Sequence, residues 1–235
     1  MIYVTGDTHG LNDTYKLQNS RKLASLSAED YLLIAGDFGG IWDGDWHDES
    51  VLNFYSGQPY TTLFIDGNHE NFDLLNSYPV EHWKGGKIHR ITDKVIHLMR
   101  GQVFDIEERS IFTFGGGISI DKAYRTSGES WWPEEEPSEE ECAEAWENLE
   151  KTDFLVDYVV THAAPESIVR DEITAEHRLL CLDCEAEKFL DKVLKKLVYR
   201  RWYCGHYHFD MDVKDHRLSV LYQRIVEIRT GARVK

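Results

Sequence analysis

The first ten residues, Met1-Ile2-Tyr3-Val4-Thr5-Gly6-Asp7-Thr8-His9-Gly10, decide the fold class. A run rich in apolar and β-branched residues stops at a glycine and hands over to a short polar cluster, the pattern of a strand with chemistry at its carboxyl end. The pattern returns at Tyr31 to Ala35, followed by Gly36-Asp37-Phe38-Gly39-Gly40, and at Thr61 to Ile65, followed by Gly67-Asn68-His69-Glu70. Asp13 to Ser25 reads as a helix between the first two strands. Strand alternating with helix predicts a layered α/β sheet.

Beyond residue 87 the rhythm changes. Lys94 to Leu98, Gln102 to Ile106 and Ser110 to Phe114 are successive strand candidates with little helical material between them, which predicts an antiparallel run or a second sheet. Gly115-Gly116-Gly117 closes the run, and residues 119 to 138 show no period and read as a long surface loop. Ser138 followed by Glu139-Glu140-Glu141 reads as an N-cap and acidic first turn, leading a helix to about Lys151. A strand at Val156 to Val160, a helix through the 183 to 197 region, a strand at Tyr199 to Cys204 and a final strand pair, Leu218 to Tyr222 and Arg224 to Ile228, complete the list. The expected architecture is a four-layer α/β/β/α sandwich of two mixed sheets flanked by helices. No repeat or linker divides the chain, so residues 1–235 are expected to form a single domain.

The 235 residues are 42% hydrophobic, enough for a sizeable core. Lys plus Arg is 26 against 42 for Asp plus Glu, and the resulting charge of −16 repels a nucleic-acid backbone. Long nucleic acid is therefore disfavoured as a partner. The longest apolar runs, such as Tyr31 to Ala35, fall far short of the roughly 20 residues of a membrane span. Without a basic, then apolar leader at the start, the expected location is the cytosol. Cys142, Cys181, Cys184 and Cys204 are too few for a disulfide scaffold, and Cys181-Leu182-Asp183-Cys184 lacks a second ligand pair at zinc-finger spacing. Reduced, ordinary thiols are expected.

Two further clusters follow strands, Thr161-His162 and Gly205-His206-Tyr207-His208, making five that can converge at one sheet end. Carboxylate and amide oxygens mixed with imidazoles suit divalent Mn, Fe, Zn or Ni better than an all-oxygen calcium site. Asp7 and His9, and likewise His206 and His208, stand two apart and project to one side of an extended segment.

These motifs resemble the signature of the calcineurin-like metallophosphoesterase superfamily, D-x-H, G-D-x-x-D, G-N-H-[DE], a lone His and G-H-x-H, in order from Asp7 to His208. The resemblance implies two divalent ions, with manganese favoured: one held by Asp7, His9, Asp37 and His208, the other by Asp37, Asn68, His162 and His206. It implies a metal-bridging hydroxide as nucleophile on a small phosphomonoester, phosphodiester or nucleotide. His69 matches the family's catalytic histidine, which serves the leaving oxygen.

Gly40 stands where the family often has a carboxylate that orients this histidine, leaving Glu70, Asp43 and Asp45 as candidates for that task. Arginines that the serine/threonine phosphatase branch places after its second motif and before its third are missing, with Gly40-Ile41 and Asp66 in their place. A phosphoprotein phosphatase is therefore the weaker enzymatic alternative. A non-catalytic interaction module on the same fold is opposed by the complete ligand set. For substrate contacts the long loop offers Arg125 and Trp131, with Lys122 and Trp132 beside them. The Trp42 to Asp48 segment is expected to rim the cleft.

Overall fold

The computed structural model describes residues 1–177 and 182–234. The chain first lays down β1 (Ile2–Thr5), β2 (Tyr31–Ile34), β3 (Thr61–Phe64), β4 (Val80–Trp83), β5 (Gly86–Thr92) and β6 (Val95–Leu98). It then crosses to a second sheet with β7 (Gln102–Ile106), β8 (Arg109–Phe114), β9 (Tyr158–Thr161), β10 (Arg201–Cys204), β11 (Met211–Val213) and β12 (Leu218–Val220), and returns to the first with β13 (Ile225–Glu227). The seven-stranded order is β13-β1-β2-β3-β6-β5-β4 and the six-stranded order is β11-β12-β10-β9-β8-β7. Both sheets are mixed, because β1, β2, β3 and β6 run parallel, as do β8, β9, β10 and β12, while the remaining pairings are antiparallel.

Alternation along the strands builds the layers. In β2, Leu33 points between the sheets, where it meets Val4, Leu63, Ile111, Val160 and Tyr203. Its neighbours Leu32 and Ile34 face outward onto Leu17, Leu23, Tyr55 and Leu75. On the far side, Phe112, Phe114, Val159 and Trp202 are covered by Ala145, Leu149, Phe189, Leu190 and Val193 from two helices, Glu139–Glu150 and Glu185–Leu194. Because both faces are covered, the central strands read as continuous apolar runs. The α/β/β/α sandwich is thus the observed architecture.

Several local expectations change. The single helix over Asp13 to Ser25 is two short ones, Tyr15–Gln18 and Arg21–Ala24, since Ser20 is extended and its hydroxyl accepts the Leu23 N–H as a fresh N-cap. Trp46–Ser56, capped by Asp45, is a helix where only a cleft rim was expected. The last two strands do not pair with each other: β12 lies against β10 and β11, and β13 against β1. The stretch 119–138 contains short turns of 3₁₀ helix and buries Ser119, Trp132 and Glu135, so it is only in part a surface loop. The helix from Glu139 does open on a capping box between Ser138 and Glu141. Cys142, Cys184 and Cys204 are free, Cys181 lies outside the described residues, and burial pushes the Cys184 thiol up to about 12. No helix among the described residues is long and apolar enough to cross a membrane.

Candidate metal centre

All five polar clusters lie just beyond the carboxyl ends of parallel strands. Asp7 and His9 follow β1, Asp37 follows β2, Asn68 and His69 follow β3, His162 follows β9, and His206 and His208 follow β10. The two sheets bring these ends together. Asp37 Oδ2 lies 3.2 Å from His9 Nε2 and its Oδ1 lies 3.3 Å from His162 Nε2. Asp7 Oδ2 is 3.2 Å from His208 Nε2. Asp7, His9, Asp37 and His208 offer ligand atoms all within 4.8 Å of one another.

The backbone is bent to achieve this. His9, Asp37, His206 and His208 have φ of 43°, 49°, 70° and 56°, in the left-handed region where a residue with a Cβ is strained by about 1–2 kcal/mol. Hydrogen bonds hold the strain: the Asp37 carbonyl accepts from Thr8 N (3.0 Å) and His9 N (2.9 Å), His69 N donates to Asp37 Oδ1 (2.8 Å), and His206 N to Asp7 Oδ1 (3.0 Å). Gly67 is required by closeness, since a Cβ there would sit 2.0 Å from Asp37 Oδ1.

The donor chemistry fits divalent cations. His162 Nδ1 lies 2.9 Å from the Ala35 carbonyl, which can only accept, so Nδ1 donates and the ligating tautomer has its lone pair on Nε2. Its Nε2 lone pair then faces Asn68 Oδ1 at 3.0 Å and Asp37 Oδ1 at 3.3 Å, acceptor against acceptor. Asn68 cannot turn its amide inward without giving up the bond from its Nδ2 to Ser119 Oγ (3.1 Å). His9 repeats the arrangement: Nδ1 donates to Asp13 Oδ2 at 2.7 Å, leaving Nε2 toward Asp37 Oδ2. Asp7 Oδ2 is buried with the His208 ring nitrogen 3.2 Å away, and no well-aligned hydrogen bond reaches it among the described residues. Such a set calls for positive charge at its middle. With protons alone, burial opposes a charged His9 but Asp37 and Asp13 outweigh it and push the ring up to about 9. Burial and His162 push His206 down to about 3, leaving a neutral imidazole ready to ligate.

His69 lies beside this set, its ring edge-on to His9 at 5.5 Å and without a side-chain hydrogen bond among the described residues. Burial, countered by Asp37 and assisted by Arg125, lowers its proton affinity. None of the three carboxylates named for orienting it does so. Glu70 is fully buried and accepts the Phe38 N–H at 2.8 Å and the Gly39 N–H, clamping the Asp37 turn instead. Asp43 and Asp45 are exposed around His47. Arg125 lines a cavity with His9 and His69, its guanidinium held by Asp121 (2.8 Å) and the Ser130 carbonyl (3.1 Å). Trp131 pairs with Ser127 within the loop, 5.8 Å beneath Lys122 Nζ, while Trp132 pins the loop by donating to Asp73 at 2.8 Å.

Sequence reasoning missed a supporting shell. Tyr222 stacks on His208 (5.0 Å between rings) and donates to Asp13 Oδ1 at 2.9 Å, so one carboxylate orients His9 and anchors the ring that covers His208. Lys16, buried, donates to the carbonyls of Gly6 (2.9 Å), Asp7 (2.6 Å) and Tyr222, fixing the end of β1. Desolvation lowers that ammonium to about 8.

The two-sheet sandwich thus gathers one imidazole and carboxylate set at the ends of its parallel strands. The chain belongs to the calcineurin-like phosphoesterase family, whose model matches residues 1–210. It is similar to the lariat debranching enzyme of Schizosaccharomyces pombe, 31% identical over 103 residues that cover 37% of this chain. The match spans 21% of that protein, so the chain corresponds to about a fifth of the relative's length. The crystal structure of phosphopantetheinyl hydrolase (PptH) from Mycobacterium tuberculosis superposes with a TM-score of 0.45 and 15% identity, covering 94% of this chain and 87% of that one.

Proposed function

We propose that the chain hydrolyses a small phosphate ester with two divalent ions, manganese foremost, one held by Asp7, His9, Asp37 and His208 and the other by Asp37, Asn68, His162 and His206. The observation that carries this reading is the pair of imidazole nitrogens, His9 Nε2 and His162 Nε2, facing the two oxygens of one buried carboxylate. When bound, the ions lower the pKa of water and neutralise charge on the phosphoryl oxygens. Asp37, with Oδ2 toward His9 and Oδ1 toward His162, would contribute to both ligand sets. Asp13 and the Ala35 carbonyl hold His9 and His162 in the tautomer that ligates. His69, outside both sets, presents its ring N–H to the leaving oxygen, a contribution of roughly 10²- to 10⁴-fold.

A phosphoprotein substrate gains no support from the geometry. Asp66, at one of the positions without an arginine, is buried against Arg100 (2.6 Å) and His97 (3.2 Å), so the nearby guanidinium is engaged in structure. Metal-stripped protein titrated with Mn²⁺ should regain hydrolysis of an aryl phosphate and saturate at two ions per chain. Saturation at a single ion, or hydrolysis indifferent to the metal, would contradict the proposal.

A further inference from the structure

Two cavities meet at His69. One, of about 490 Å³, runs from Asp37, Asn68, His206 and His208 along a wall of Ile118, Ile120, Val169 and Leu182. The other, of about 580 Å³, shares His69 and is lined beyond it by His9, Trp42, Trp46 and Arg125. Each is large enough for an organic substituent rather than a bare phosphoryl oxygen. A phosphomonoester would fill one and leave the other without a substituent. The centre therefore sits partway along a cleft, not at its end.

The walls restrict what the substituents can be. Arg125 is the one lysine or arginine lining either cavity among the described residues, and Asp121 already engages its guanidinium through two nitrogens. Carboxylates border both sides: Asp121 and Glu187 in the first, Asp43 and Asp48 in the second. Among the described residues, neither arm offers a free cation to a second phosphate. The second cavity does offer a ring platform, since Trp46 is 66% exposed, with the His47 ring tilted against it at 3.5 Å and Trp42 lining the same cavity.

We propose, resting on the phosphoesterase reading above, that the substrate is a small phosphodiester with two uncharged arms. One is a planar ring that stacks on Trp46, and the other an apolar group seated against Ile118, Val169 and Leu182. Esters carrying a further phosphate on either arm are disfavoured, because the described lining residues supply no unpaired lysine or arginine to receive it.

The test uses the Mn²⁺-loaded full chain and three chromogenic esters: 4-nitrophenyl phosphate, the 4-nitrophenyl diester of thymidine 5′-phosphate, and the same diester with a phosphate on the thymidine 3′-oxygen. The expected order of kcat/KM puts the uncharged diester at least about tenfold above both others, and Trp46→Ala should lower the diester-to-monoester ratio about tenfold, the worth of one stacked ring. A monoester hydrolysed as well as the diester, or a gain from the 3′-phosphate, would overturn the proposal while leaving the hydrolase intact. No hydrolysis of any ester by protein with metal bound would remove the phosphoesterase reading itself, and the proposal with it.

Discussion

Asp13 shows how a residue outside the ligand set can govern it. Its carboxylate accepts a hydrogen bond from His9 Nδ1 on one side and from the Tyr222 hydroxyl on the other. Asp13→Ala should therefore weaken Mn²⁺ binding by about 10- to 100-fold with the fold retained, read by metal titration and circular dichroism. Unchanged affinity would mean His9 is oriented by packing alone. That these candidate ligands would come together was legible in the sequence, because five short polar clusters each follow an apolar run. Asp13 was not, since its partner Tyr222 is 209 residues away and nothing local marks the pair. The orienting group sought for His69 was equally hidden, because the sequence places Glu70 beside it while folding turns Glu70 toward the Phe38 and Gly39 amides.

At the scale of elements, strands surrounded on both faces are legible within a residue or two, as the match of Tyr31 to Ala35 with Tyr31–Ile34 shows. Elements governed by local caps are not. The Asp13 to Ser25 pattern is apolar at helical spacing, yet Ser20 caps a second start within it. The Trp46–Ser56 helix opens on acidic and aromatic residues that hide its period. β4, an edge strand with alternating exposure and a histidine, was passed over for the same reason. Two substitutions test element-level claims. Ser138→Ala removes one arm of the capping box and should lower stability by about 1 kcal/mol in urea unfolding, with hydrolysis preserved. Gly67→Ala introduces a Cβ 2.4 Å from the Asp37 amide nitrogen and 2.0 Å from its carboxyl oxygen, and should destabilise by about 1–3 kcal/mol while weakening metal binding. Calorimetry that finds the Gly67 variant as stable as wild type would show that the turn yields without disturbing Asp37.

For the molecule as a whole, the Asp66 and Arg100 pair joins the parts. Asp66 follows β3 in the first sheet, its carbonyl accepts from Gly116 N after β8 (3.2 Å), and Arg100 reaches the Glu134 carbonyl in the long loop at 2.7 Å. Burial opposes ionisation of Asp66, but Arg100 and His97 hold its carboxyl well below the usual carboxylate range. The native state thus keeps this site ionised where the unfolded chain binds a proton. The stabilisation is complete above the unfolded value of about 4 and is lost as pH falls below it. Urea unfolding between pH 7 and pH 3 should show falling stability on the acid side, and Asp66→Asn should flatten that slope while costing about 3 kcal/mol at neutral pH by leaving Arg100 underpaired. An unaltered slope would place the acid sensitivity elsewhere.

The central claim is that one carboxylate, Asp37, spans two ion sites while His69 acts from outside them. The most direct test is the number of Mn²⁺ ions bound per chain, measured with turnover on the same samples of wild type, Asp37→Ala and His69→Ala. The account predicts two ions for wild type, loss of both sites in Asp37→Ala, and two ions with turnover reduced roughly 10²- to 10⁴-fold in His69→Ala. Two ions retained by Asp37→Ala, or full turnover by His69→Ala, would contradict it.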